Sequence, residues 1–288
     1  VEERVVQRIM EDWRLTTSPA RPNAARVELY RSALRGARSA LVMGATPELI
    51  DMLLVEGVDH VAAIDLHPET MEALRRLASE DWSRVELVVG DWRERRPAWH
   101  SAFDLVLCDG GLMFLPFPDD WRTVLAVLHG YLRPGGRLVA NQLSIAPTET
   151  SFHDHYAEAI ARFESERPDP DPEQQAKRFM ELASQLRGTT RYGAVDGDGR
   201  VRLDMVAAAR RWIESDLRRR YPEFGRIVDA NFGRPSIIGA DGDGIVAAPA
   251  LERVRAEMIR CGFNVKVLAS SVRPPRHVFA LAATRPAS

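Results

Sequence analysis

Five short apolar runs, each leading into a helix start or a turn, limit this chain more than any other feature. Residues 39–45 (SALVMGA) precede Thr46-Pro47-Glu48. There Thr46 is expected to cap a helix, Pro47 suits its first position, and Glu48 favours the positive end of its dipole. That helix should stop at Gly57. Residues 61–66 (VAAIDL) precede a second start at His67-Pro68. Its helix places Met71, Leu74 and Ala78 on one face and lets Glu72 pair with Arg76. Runs at 85–90 (VELVVG), 103–109 (FDLVLCD) and 137–141 (RLVAN) continue the series. A helical stripe of Trp121, Val124, Leu125, Leu128, Tyr131 and Leu132 stands before the last run and is stopped by Pro134-Gly135-Gly136. Runs that are apolar on both faces and joined through helices predict an α/β fold with a doubly wound parallel sheet.

The rhythm breaks after the fifth run and resumes near the end of the chain. Residues 251–261 are amphipathic, and runs follow at 264–270 (NVKVLAS) and 277–284 (HVFALAAT). The link at 272–276 is long enough only for a hairpin, so the last strand should run antiparallel. Between the halves, residues 143–249 are too long for a loop. They are expected to form a mainly helical cap inserted after the fifth strand, with helices at 151–166, 173–187 and 204–221. A hairpin is expected around Asp196-Gly197-Asp198-Gly199. Residues 1–36 should give a second helical cover over a domain made of 37–142 and 250–288.

The composition narrows the function classes. With 45% hydrophobic residues in 288, the chain can fill a core, which excludes disorder. Its 39 basic and 41 acidic residues leave a net charge of −2. It therefore lacks the basic surplus of a protein that lives on phosphate backbones, and no nucleic-acid partner is expected. Cys108 and Cys261 alone cannot build a disulfide framework or a zinc site. Nor is His153-Asp154-His155 a metal motif, because positions i and i+2 diverge on a helix. No apolar run approaches the roughly 20 residues that cross a bilayer, and the charged N-terminus VEERVVQRIMEDW differs from a secretion signal. No membrane partner and a cytoplasmic location are expected.

The ends of the runs carry the chemistry. Gly44 ends the first, and Asp65 ends the second 21 residues later. In a doubly wound sheet this sets a tight turn and a helix N-terminus beside a carboxylate able to take two ribose hydroxyls. Asp91-Trp92 end the third run, Asp109-Gly110-Gly111 the fourth, and Pro134-Gly135-Gly136 precede the fifth. Taken together, the series resembles the class I S-adenosylmethionine-dependent methyltransferase family, over residues 39–142 and again 251–284. The first motif departs from the family's usual form. It holds one glycine and no acid at the usual place, and Glu48 is a candidate for the missing charge.

This resemblance implies a Rossmann-like, seven-stranded sheet with an antiparallel last strand, and S-adenosyl-L-methionine across the strand ends. It implies Gly44, Ala45 and Thr46 near the methionine moiety, Asp65 on the ribose, and Leu66 under the adenine. Asp91 and Trp92 would hold the adenine edge and face, and Asp109 would lie near the methionine amino group. The fourth run is followed by Gly110-Gly111-Leu112, unlike the Asn/Asp-Pro-Pro-Tyr/Phe associated with exocyclic or amide nitrogens. A small-molecule acceptor in an enclosed pocket is expected. Candidate catalytic residues are Asn141, which would orient the acceptor, and His155 with Tyr156, turned inward on the stripe of Phe152, Ala159, Ile160 and Phe163. Two other readings stay open: an enzyme consuming the aminobutyrate moiety and releasing methylthioadenosine, and a non-catalytic S-adenosylmethionine-binding regulatory subunit.

Overall fold

The computed structural model describes residues 1–15, 21–145, 161, 165, 171, 192–195, 200–203, 245–273 and 276–287. Contacts divide the chain into two units, Val1–Ala146 with Ala247–Ser288, and Pro147–Val246.

The larger unit is built on strands β1 (Ser39–Met43), β2 (His60–Asp65), β3 (Val85–Val89), β4 (Phe103–Asp109), β5 (Leu132–Ile145), β9 (Asn264–Arg273) and β10 (Arg276–Thr284). They form one seven-stranded sheet in the order β3-β2-β1-β4-β5-β10-β9. The first five strands pair in parallel, while β10 is antiparallel to both β5 and β9. Only two residues separate the end of β9 at Arg273 from the start of β10 at Arg276, too few for anything but a reversal. The helices are α1 (Glu3–Leu15), α2 (Ala24–Ser32), α3 (Pro47–Val55), α4 (Pro68–Arg76), α5 (Asp119–Tyr131) and α6 (Leu251–Arg260).

Alternate strand residues feed two cores, as the period of two requires. Leu41, Met43, Val106, Cys108, Leu138 and Ala140 face one core, closed by Trp121, Leu125 and Leu128 of α5 and by Val254 and Met258 of α6. Val42, Leu105, Leu107 and Val139 face the other, closed by Tyr30 of α2, Leu34, and Leu49, Ile50 and Leu53 of α3. The helix α1 lies on α4 through Val6, Ile9, Met10 and Ala73. Glu3, Arg76 and Glu72 extend that contact as ion pairs, and the expected Glu72–Arg76 pair closes at 2.7 Å.

Two local expectations need correcting. Thr46 sits at the N-cap of α3, but its side chain makes no capping bond; Pro47 occupies the first turn as expected. The fifth strand does not begin after Pro134-Gly135-Gly136. It starts at Leu132, directly after α5, and the tripeptide forms a register shift against Phe103 and Leu105. Gly135 has φ 80°, and a Cβ on Gly136 would stand 2.9 Å from the Arg133 carbonyl oxygen. The glycines therefore permit the bulge, and the strand runs through it. Asn141 and Gln142 are accordingly inside β5, which continues to Ile145.

Farther along the chain, β6 (Tyr192–Val195) and β7 (Arg200–Leu203) pair antiparallel; residues 196–199, where the hairpin turn is expected, lie outside the described residues. With β8 (Ile245–Ala247) they make a three-stranded sheet in the order β6-β7-β8. Ala161 and Ser165 are helical. The remainder of the three helices expected at 151–166, 173–187 and 204–221 lies outside the described residues.

Candidate cofactor site at the strand ends

The turn after β1 is made by Gly44, whose φ of 82° suits a residue without a Cβ. Its N–H donates to the Ile64 carbonyl at 2.8 Å, which draws the β1 turn against the end of β2. A Cβ at Gly44 would lie 3.9 Å from Asp65 Oδ2, so the glycine keeps the approach to that carboxylate open. Asp65 Oδ1 accepts the His67 N–H at 2.9 Å, and the amides of Ala45 and Leu66 also donate to the carboxylate. Burial pushes the Asp65 carboxyl above its usual range, with these amides pulling the other way. The next residue, Leu66, is an apolar side chain left 53% exposed.

Past β3, Asp91 is held by its neighbour. Arg93 donates from its backbone at 2.8 Å and from Nη2 at 2.6 Å, and its Nη1 reaches Asp120 at 2.8 Å. Those bonds hold the Asp91 carboxyl below its usual range. Trp92 donates its indole N–H to the Ile64 carbonyl at 3.0 Å, and its ring edge abuts Gly111.

Asp109, at the end of β4, is an enclosed carboxylate whose side chain is 2% exposed. Arg26 Nη1 lies 3.2 and 3.1 Å from its two oxygens. The Tyr30 hydroxyl donates within reach of Asp109 Oδ1 at 3.0 Å and of the Cys108 carbonyl at 3.2 Å. The Asn141 side chain bonds Asp109 as well, and the Asn141 carbonyl accepts the Gly110 N–H at 2.9 Å. Burial pushes the Asp109 carboxyl up, opposed by Arg26, Tyr30 and Asn141. Burial likewise pushes the Cys108 thiol up to about 12, so this cysteine is packing and not a nucleophile.

Glu48 is engaged through one oxygen, while its Oε2 is buried without a hydrogen-bond partner. Arg21 Nε donates to its Oε1 at 2.5 Å, the Trp13 indole approaches the same oxygen at 3.4 Å, and the Arg21 guanidinium lies over the Trp13 ring. The structure thus brings Gly44, Ala45, Asp65, Trp92, Asp109 and Asn141 to one row of strand ends and turns, with Thr46, Leu66 and Asp91 beside them. His155 and Tyr156 lie outside the described residues. Sequence reasoning missed Arg26 and Tyr30, which reach the site from α2. Their signal was present: Val27, Tyr30 and Leu34 form an apolar stripe, and Arg26 stands four residues before Tyr30, on the same face. Asn23 starts that helix by accepting the Arg26 N–H on its side chain at 3.0 Å.

Residues 44–136 match a family model described as a methyltransferase domain. That segment is less than half of the chain; the sheet order and the reversed β10 make the larger unit a Rossmann-like fold. Two solved structures show the same fold at low identity. The N-terminal domain of EvdMO1, solved in the presence of SAH and D-fucose, is 13% identical with a TM-score of 0.53, over 91% of this chain and 82% of that one. A SAM-dependent methyltransferase from Methanosarcina mazei is 12% identical with a TM-score of 0.50, over 90% and 98%. No curated protein sequence matches the chain.

Proposed function

We propose that this protein transfers the methyl group of S-adenosyl-L-methionine to a small molecule, by in-line attack in a pocket that excludes water. The observation that carries the reading is the Asp65 corner. A largely buried carboxylate, backed by backbone amides, stands beside a left-handed glycine and an exposed leucine. That is the chemistry a ribose diol and an adenine face require. In this reading Asp65 accepts both ribose hydroxyls and Leu66 lies under the base. Asp91 and Trp92 border the adenine, Gly44, Ala45 and Thr46 border the methionine chain, and Asp109 meets its amino group.

When bound, the cofactor supplies an electrophilic methyl on a sulfonium. The protein's work is alignment and exclusion of water. Asn141, fixed by its bond to Asp109, orients the acceptor, and His155 and Tyr156 serve the acceptor side. Three features support a small acceptor: the near-neutral charge, the Gly110-Gly111-Leu112 exit from β4, and the unit Pro147–Val246 inserted after β5. Among the described residues no helix is long and apolar enough to cross a membrane.

The nucleoside product tests this reading. Incubation with S-adenosylmethionine and a panel of amine, hydroxyl and thiol acceptors should release S-adenosylhomocysteine together with a methylated acceptor. Release of methylthioadenosine would instead assign the reaction to the aminobutyrate moiety and overturn methyl transfer.

A further inference from the structure

Gln142 stands where β4 stops and β5 runs on. Asp109, the last residue of β4, pairs with Asn141, and the Gly110 N–H closes on the Asn141 carbonyl at 2.9 Å. Beyond that step β5 continues to Ile145, paired with β10. Gln142 is the first residue past the step, and strand alternation turns its side chain away from the face of Asn141, onto the face of Leu138 and Ala140. It pairs with Phe279 of β10, and Phe279, Ala140 and Ala247 all belong to the buried core on that face. Gln142 itself is 2% exposed.

Half of this buried amide is satisfied. Its Nε2 donates to the Leu143 carbonyl at 3.2 Å and to the Ala247 carbonyl at 3.4 Å, whereas Oε1 is buried with no hydrogen-bond partner. Turning the amide over would set Oε1 against those two carbonyl oxygens and lose both bonds, so the open position is an acceptor. A buried acceptor without a donor is costly, and a donor brought from outside the chain removes that cost.

We propose that Gln142 selects the methyl acceptor, its Oε1 taking a hydrogen bond from a neutral N–H or O–H of that molecule. The proposal rests on the methyl-transfer reading above. Asn141, on the opposite face, is already bonded to Asp109, so the two neighbours divide the work between the cofactor side and the acceptor side. The class of acceptor follows from the surroundings. The oxygen is uncharged and Phe279, Ala140 and Ala247 around it are apolar, so an ammonium drawn to it would be buried without a counter-charge. A molecule with no donor would leave the oxygen unpaired, which is the stronger form of discrimination. Gln142 therefore favours a neutral, mainly apolar acceptor bearing a hydroxyl or an N–H, such as a phenol or an N–H heterocycle.

The test is turnover of S-adenosylmethionine with two sets of probes: phenol, catechol, indole and benzimidazole as neutral donors, and benzylamine and phenethylamine as ammonium ions. The wild type should form S-adenosylhomocysteine with members of the neutral set in preference to the amines. Gln142→Met keeps the length of the side chain and loses the acceptor; it should lower kcat/KM for the neutral set about ten- to a hundredfold, chiefly by raising KM. Its unfolding midpoint should change little, because the two long bonds it loses are offset by the orphaned oxygen it removes. Its affinity for S-adenosylhomocysteine should match that of the wild type. Gln142→Glu, which sets a carboxylate at the same point, should move the preference toward the amines. No product from the neutral set, a wild-type preference for the amines, or an unchanged KM in Gln142→Met overturns the proposal and leaves methyl transfer standing. Release of methylthioadenosine in place of S-adenosylhomocysteine overturns both.

Discussion

Gly111 shows how one residue can fix the shape of a site without touching a ligand. It lies just past β4, and the ring edge of Trp92 occupies the space where its side chain would be. A Cβ there would meet Trp92 Cη2 at 2.9 Å and Cys108 Sγ at 3.3 Å. The indole cannot withdraw cheaply, because its N–H is bonded to the Ile64 carbonyl and its ring packs on the core that holds Cys108 and Leu112. Gly111→Ala should therefore destabilise the fold by about 1–3 kcal/mol through overpacking. Denaturant unfolding measures this as a lower midpoint at unchanged slope, and an unaltered midpoint would show that Trp92 has room to move. The same contact explains a gap in the sequence reading. An aspartate and a tryptophan after a third strand suggest an adenine pocket, but nothing in their order reveals that the indole N–H is committed to the neighbouring strand.

Elements carry the next level of organisation, and the α1–α4 contact is the clearest case. Glu72 lies between Arg75 and Arg76, and Arg76 also reaches Glu3 of α1. Those bonds lower the Glu72 carboxyl from its ordinary 4.5 to about 2. The folded value lies below the unfolded one, so the contribution is present above pH 4.5 and is lost as the pH falls toward 2. Because the group is only partly buried, solvent screens the effect and the slope should be shallow. The unfolding midpoint of the wild type should fall across this window, and that of Glu72→Gln should fall less; parallel curves would remove Glu72 from the account. The Glu72–Arg76 pair was legible in the sequence because it depends on helical spacing alone. The start of β5 was not. Pro134-Gly135-Gly136 reads as a stop between helix and strand, but pairing with β4 across a bulge overrides that local signal. Thr46 is a similar case: its position fits a cap, but its side chain makes no capping bond.

At the scale of the molecule, the sheet was the legible part. Strands buried on both faces announce themselves by composition, and a two-residue link dictates the reversal of β10. The row of strand-end carboxylates follows from that sheet, since each lies where its strand stops. Single-chain periodicity marks the face of α2 but could not reveal which strand end that face meets. Arg26 and Tyr30 are remote from Asp109 in sequence and meet it only because α2 packs against the core beneath β4. The central claim is that this row of strand ends binds S-adenosylmethionine through Asp65. Calorimetric titration of S-adenosylmethionine into the wild type and Asp65→Ala tests it most directly. The account predicts a saturable one-to-one site in the wild type and a loss of about a hundredfold in the variant, as for removing a buried charged acceptor of two hydrogen bonds. Equal affinity in the two proteins, or no binding to the wild type, would contradict it.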